Sequence, residues 1–197
     1  MIDLHCHSTA SDGEYSPKEL VALAIEKNIS VLALTDHDTF DGIDEGKNAA
    51  TNSDLIFIPG IELNIERTRG EFHLLGLGIK EPSTSLIKIC KNLQAARLSR
   101  NQQIIEKMQQ DGFPVSYDEL IEKFPIPTLG RPHIAAYLAE KKIVKKRQLA
   151  FDKYLGKGRP YYVDRSSANI CQRRVGVFLR FSFQLNRQRY GDDLKLG

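Results

Sequence analysis

Five histidines give this chain its first chemical signal, because four of them stand near the ends of expected strands in company with carboxylates. His5 and His7 are one residue apart. Side chains at i and i+2 of a strand share a face, so both imidazoles can grip one ion while Cys6 points away. Asp12 follows in Ser11-Asp12-Gly13, a turn able to swing a carboxylate back over the strand end. The next strand ends in Thr35-Asp36-His37-Asp38, the third in Pro59-Gly60-Ile61-Glu62, and the fourth carries Glu71-Phe72-His73. In parallel β/α folds the strand ends converge on one rim, so His5, His7, Asp12, His37, Glu62 and His73 are expected to meet there. Imidazole and carboxylate ligation without thiolates suits Zn, Mn or Fe rather than a structural zinc finger. Two or three such ions can flank one phosphate, polarise a phosphoryl oxygen and deliver a metal-bound hydroxide. An isolated His-x-His is more often a pair of packed or surface histidines than a site. Four strand ends that each offer a ligand turn the balance toward metal.

A second candidate is Gly130-Arg131-Pro132-His133. Arg131 offers a planar fork of donors suited to phosphate, and His133 falls in the first turn of an expected helix, whose amides favour an anion. The duller reading is a loop arginine and a capping histidine. Asp38 and His133 are the candidates for a general acid. Gly156-Lys157-Gly158-Arg159 lacks the strand-loop-helix context of a phosphate loop and reads as a basic turn. Arg97 and Arg100 read as a solvated helix face, with substrate contact the lesser reading.

The elements that must position these groups alternate over the first eighty residues. Ile2 to His7 is a short strand. Ser16-Pro17-Lys18-Glu19 supplies a capping box with proline at the first helical position, and Leu20, Leu23 and Ala24 follow at helical spacing. Ile29 to Thr35 is a continuous apolar strand of the kind buried on both faces. Phe40 to Ala50 is a weaker helix, and Leu55 to Ile61 and Phe72 to Ile79 are two more strands. Repeated β-α units imply parallel pairing in a layered or barrel α/β architecture. From Ser85 the period changes. Leu86, Ile89, Cys90, Leu93, Arg97, Ile104 and Met108 mark one long helix stopped by Asp111-Gly112. Ser116-Tyr117-Asp118-Glu119 reads as a second capping box, and Pro132 can open another helix through Leu138. The expected organisation is a β/α part over residues 1–84, a helical insertion over 85–155, a return segment over 156–170 and a basic tail over 171–197.

The chain has 197 residues, 41% of them hydrophobic and 27% charged, enough for one sizeable core. No unbroken apolar run approaches the ~18 residues of a membrane span, and no secretory signal stands at the N-terminus. Three cysteines without paired spacing point to a reducing, cytoplasmic setting rather than a disulfide framework. The net charge of +3 misleads until it is divided. Residues 171–197 carry Arg173, Arg174, Arg180, Arg187, Arg189 and Lys195 against Asp192 and Asp193, so the first 170 residues are slightly acidic. A nucleic-acid partner inferred from net charge would therefore rest on the tail. The tail shows neither helical nor strand period. It is expected to come from a shifted reading frame or a rearranged gene end, a genuine basic appendage being the alternative.

Taken together, Asp3-Leu4-His5-Cys6-His7-Ser8, Ser11-Asp12-Gly13, Thr35-Asp36-His37-Asp38, Gly60-Ile61-Glu62 and His73 resemble the PHP (polymerase and histidinol phosphatase) superfamily. The Gly130-Arg131-Pro132-His133 segment and the helical insertion resemble its branch of nucleoside 3′,5′-bisphosphate phosphatases and 5′→3′ exoribonucleases. The resemblance covers roughly residues 1 to 170. It implies a distorted (β/α)7 barrel, here incomplete at the C-terminus, with up to three Mn, Zn or Fe ions at the strand ends. By that likeness His5 and His7 hold a first ion, Glu62 bridges it to a second held by His73, and Asp12 with His37 holds a third. Arg131 and His133 would meet the phosphate of a nucleotide or short RNA, and no obligatory protein partner is implied. Members of the superfamily carry a later histidine and an Asp-x-His pair, whereas no histidine follows His133 here. A truncated chain with one ligand fewer per ion, and impaired turnover, is therefore expected. The alternatives are a non-catalytic remnant that binds metal or nucleotide, and a histidinol-phosphate phosphatase or polymerase-associated exonuclease; the Arg131 segment disfavours these last two.

Overall fold

The computed structural model describes residues 1–66 and 71–164. The tail over 171–197 lies outside the described residues. Three strands build the first layer. Strand β1 (Ile2–Cys6) lies parallel to β2 (Val31–Leu34), and β2 lies parallel to β3 (Ile56–Glu66). Between them α1 (Pro17–Glu26) and α2 (Ile43–Ala50) supply the crossovers that parallel neighbours need. The α1 start is fixed as its sequence suggests. The Glu19 amide donates to Ser16 Oγ at 3.2 Å and the Ser16 amide donates back to Glu19 Oε2 at 2.8 Å. Val21 and Ala24 then bury against Leu32, Ala50 and Leu55 in one apolar cluster. Helix α2 reaches β3 closely because residue 46 is glycine; a Cβ there would stand 2.7 Å from the Phe57 ring.

The fourth strand departs from the expected all-parallel pairing. Strand β4 (Glu71–Leu77) runs antiparallel to β3, with Glu62 opposite Leu75 and Asn64 opposite His73. Only residues 67–70 join the two, far fewer than the dozen or more that a parallel crossover requires. The sheet order is β1-β2-β3-β4. At its β1 edge Ile2 and Leu4 remain 59% and 39% exposed, and among the described residues no strand pairs with that edge.

From Thr84 the structure is helical: α3 (Thr84–Gln110), α4 (Tyr117–Lys123), α5 (Arg131–Glu140), α6 (Arg147–Ala150) and a π-helical turn over Phe151–Leu155. Helix α3 belongs to two cores. Its first half sets Leu86, Cys90 and Leu93 against Ile61, Leu63 and Ile79, and its second half sets Ile104, Ile105 and Met108 against Leu120, Leu129, Ile134 and Leu138. The second capping box forms only in part. The Glu119 amide donates to Ser116 Oγ at 3.4 Å, but the Ser116 amide donates to Tyr137 Oη at 2.8 Å, and that hydroxyl donates to Glu119 Oε2 at 2.7 Å. Tyr137 relays a bond that the glutamate would otherwise close directly.

Candidate metal centre

Glu62 is the hub. Beyond the end of β2 the chain continues alongside β3, where the Glu62 amide donates to Asp36 O at 3.1 Å and the Asp38 amide donates to Glu62 O at 3.0 Å. That pairing sets His37 beside Glu62. The carboxylate is 1% exposed and four imidazoles close on it. His5 Nε2 lies 3.2 Å, His7 Nε2 3.0 Å and His37 Nδ1 3.3 Å from Oε2, and His73 Nδ1 lies 2.5 Å from Oε1. Asp12 forms the far wall, 3.5 Å from His7 Nδ1 and 3.7 Å from His37 Nε2. All six residues singled out by type and spacing are therefore in one cluster. They form three overlapping groups of potential ligands: His5, His7 and Glu62; His7, Asp12 and His37; His37, Glu62 and His73.

The donor set fits divalent cations. His5 Nε2 and His7 Nε2 stand 3.1 Å apart, so they need either a shared proton or a cation between them. In a tetrahedral site with bonds of about 2.0–2.1 Å, ligand atoms are about 3.3 Å apart, close to the spacing of the His5, His7 and Glu62 atoms. Cys6 stays out of the set. It belongs to none of the three groups, and burial and the neighbouring Asp3 push its thiol up to about 12.

The surrounding residues fix the ligands. Ser8 donates to Asp36 through its amide at 2.8 Å and its hydroxyl at 2.6 Å, and Ser11 Oγ donates to Asp36 Oδ1 at 2.5 Å. Buried Asp36 thus ties down the loop that carries Asp12; burial raises its pKa against the pull of these serine bonds. Gly13 is obligatory there, because a Cβ at that position would stand 2.2 Å from His7 O. Asn64 Nδ2 meets His73 Nε2 at 2.9 Å, the contact from behind that orients a ligating ring.

Arg97 and Arg100 do not form a solvated face. They are 4% and 1% exposed, because α3 is wrapped by the sheet on one side and by its own helical core on the other. Arg97 Nη2 donates to Asp38 Oδ2 at 2.6 Å, Gln94 Nε2 donates to Asp38 O at 2.8 Å, and the Asn64 amide donates to Asp38 Oδ1 at 3.4 Å. Asp38 therefore stands behind the cluster with both carboxylate oxygens engaged. His133 accepts the Gly130 amide on Nδ1 at 3.0 Å and packs edge-on to Phe124. Burial holds its pKa below the ordinary imidazole value, and the charge of Asp12 opposes that shift. The Thr128 hydroxyl donates to Ala10 O at 2.8 Å, which joins the α5 entry to the Asp12 loop. Arg131 lies over the Tyr162 ring, 5.2 Å from its centroid, with Nη1 3.4 Å from Leu155 O. Sequence reading missed Asn64, Gln94, Asp36 and the Arg97 pairing; the one available signal was the pair of serines, Ser8 and Ser11, just before Asp12.

The sequence and the fold have counterparts. The PHP domain model matches residues 3–154. This chain belongs to the PHP domain family. It is 36% identical over 168 residues to a 5′-3′ exoribonuclease of Haemophilus influenzae, covering 85% of this chain and 61% of that protein. It is 33% identical over 170 residues to a 3′,5′-nucleoside bisphosphate phosphatase of Chromobacterium violaceum, covering 86% and 60%. The chain thus spans about 60% of the length of the curated relatives it matches. A crystal structure from Bifidobacterium adolescentis, assigned as a metal-dependent phosphoesterase, superposes with a TM-score of 0.78 at 30% identity over 84% of this chain and 59% of that one. An amidohydrolase from Chromobacterium violaceum, solved with sulfate and no metal, gives 0.78 at 33% identity over 85% and 59%. The α/β PHP-type fold expected from the sequence is the one observed.

Proposed function

We propose that this chain carries the metal centre of a phosphoesterase that hydrolyses 3′,5′-bisphosphate nucleotides or short RNA in the cytoplasm. Among the described residues no helix is long and apolar enough to cross a membrane, in keeping with that setting. The observation that carries the reading is the convergence of four imidazoles on buried Glu62, with Asp12 opposite. His5 and His7 would hold one ion, Glu62 and His73 a second, and Asp12 with His37 a third, so that each imidazole serves one ion, with Zn, Mn and Fe the metals that suit such ligands. When bound, such ions supply an acidified water and neutralise phosphoryl charge.

The protein groups around them have separate tasks. His133 stands at the third position of α5, where helix amides favour an anion, and Arg131, stacked over Tyr162, is the charged residue of the same turn. Burial lowers the His133 pKa, which favours a phosphate contact made by hydrogen bonding over one made by charge. Asp38, engaged on both oxygens, is assigned to holding the loop rather than to proton transfer.

Release of phosphate from a 3′,5′-bisphosphate nucleotide with added Mn²⁺ tests the reading. The account expects metal-dependent release, abolished in His7→Ala, since His7 belongs to two of the three ligand groups. Release that persists in excess chelator, or at an unchanged rate in His7→Ala, contradicts it.

A further inference from the structure

We propose that Arg97 is a positioning residue of the metal centre, acting through Asp38 to hold β3 and the His37 loop in ligating register; this rests on the metal reading above. The inference starts from three contacts made by one residue, two through its carboxylate and one through its backbone amide. Asp38 Oδ2 receives Arg97 Nη2 at 2.6 Å, its Oδ1 receives the Asn64 amide at 3.4 Å, and its own amide donates to Glu62 O at 3.0 Å. Asp38 therefore lies next to one ligand in sequence, His37, and bonds the backbone at and beside another, Glu62. Asn64 extends the chain of contacts, since its side-chain amide meets His73 Nε2 at 2.9 Å. That amide can serve either state of the ring, donating to Nε2 or, turned over, accepting its proton. Three of the six candidate ligands are thus reached from Arg97 through one residue or two.

The backbone shows what this arrangement overcomes. Asp38 has φ of +57°, a left-handed conformation that residues other than glycine adopt only occasionally, aspartate among them. The Gln94 bond to Asp38 O and the Arg97 bond to its carboxylate both come from α3 and hold that turn. Arg97 also packs against the start of α5, where a Cβ on Gly130 would stand 3.1 Å from Nη1. One guanidinium therefore fixes the metal loop against the turn that presents His133. Its Nε has no hydrogen-bond partner, so the burial of this arginine is not explained by complete satisfaction of its donors. A buried pair often adds little net stability over apolar replacement, whereas a single stranded charge is strongly destabilising. Stability and positioning can therefore be separated.

The test compares wild type with Arg97→Met, Asp38→Asn and the double variant Asp38→Asn/Arg97→Met. Thermal melting of the chelated proteins and Mn²⁺ affinity by chelator competition are the two readouts. Arg97→Met is expected to melt lower, because it strands the Asp38 charge, and the double variant to recover much of that loss. Metal affinity is expected to fall at least tenfold in both and not to recover in the double variant. Asp38→Asn keeps the shape of the side chain, covers the case in which Arg97→Met does not fold, and is expected to show the same loss of affinity. A double variant, or Asp38→Asn, that binds Mn²⁺ as tightly as wild type overturns the positioning role. Wild type that takes up no Mn²⁺ overturns both this role and the metal reading beneath it.

Discussion

His133 combines a capping bond with a buried position. It closes the N-terminus of α5 by accepting the Gly130 amide, and burial lowers its pKa. Because the folded ring takes a proton less readily than the unfolded one, its contribution to stability is full above the ordinary imidazole value of about 6.5 and is lost as pH falls through the lower folded value. Glutamine at the same position keeps the reciprocal capping bond and does not titrate. Urea midpoints measured in chelator from pH 7.5 down to 5 should therefore fall further for wild type than for His133→Gln, and equal declines contradict the assignment. The clustering of the six candidate ligands was legible from residue type, because imidazoles and carboxylates at four strand ends have few other joint uses. The Arg97–Asp38 pair was not legible. Its partners lie 59 residues apart, and helical period assigns a charged residue to solvent unless a second layer covers it.

At the scale of elements, α1 followed its sequence closely because its signals are local: a serine cap, a proline and a glutamate in one turn. The α4 entry carries nearly the same signals and formed differently, since Tyr137 from α5 inserted its hydroxyl between Ser116 and Glu119. Tyr137→Phe should cost about 1 kcal/mol by urea denaturation, the net value of a typical hydrogen bond. The cost stays at that level because Glu119, which also pairs with Lys141, can turn an oxygen to the Ser116 amide and close the ordinary capping box once the hydroxyl is gone. Strand β4 was legible as a strand but not in direction. Its apolar residues report burial, and the pairing is decided by the short 67–70 connection, which only an antiparallel return can satisfy.

At the scale of the whole molecule, α3 is the member that makes two cores one structure, packing with the sheet through Leu86, Cys90 and Leu93 and with the helices through Ile104, Ile105 and Met108. The metal cluster sits on the sheet side of this junction, and the α5 entry faces it from the helical side through Thr128 and Arg97. A ligand that binds only this folded arrangement stabilises it by mass action, so ion uptake and thermal stability should rise together. Glu62 makes the decisive contacts, and Glu62→Gln preserves its shape while removing the charge around which four imidazoles are arranged. The most direct measurement is the metal content of wild type and Glu62→Gln by plasma mass spectrometry, after loading with Mn²⁺ or Zn²⁺ and dialysis. The account predicts at least one ion per wild-type chain and marked depletion in Glu62→Gln. A wild-type chain free of metal, or a variant that retains as much as wild type, would contradict it.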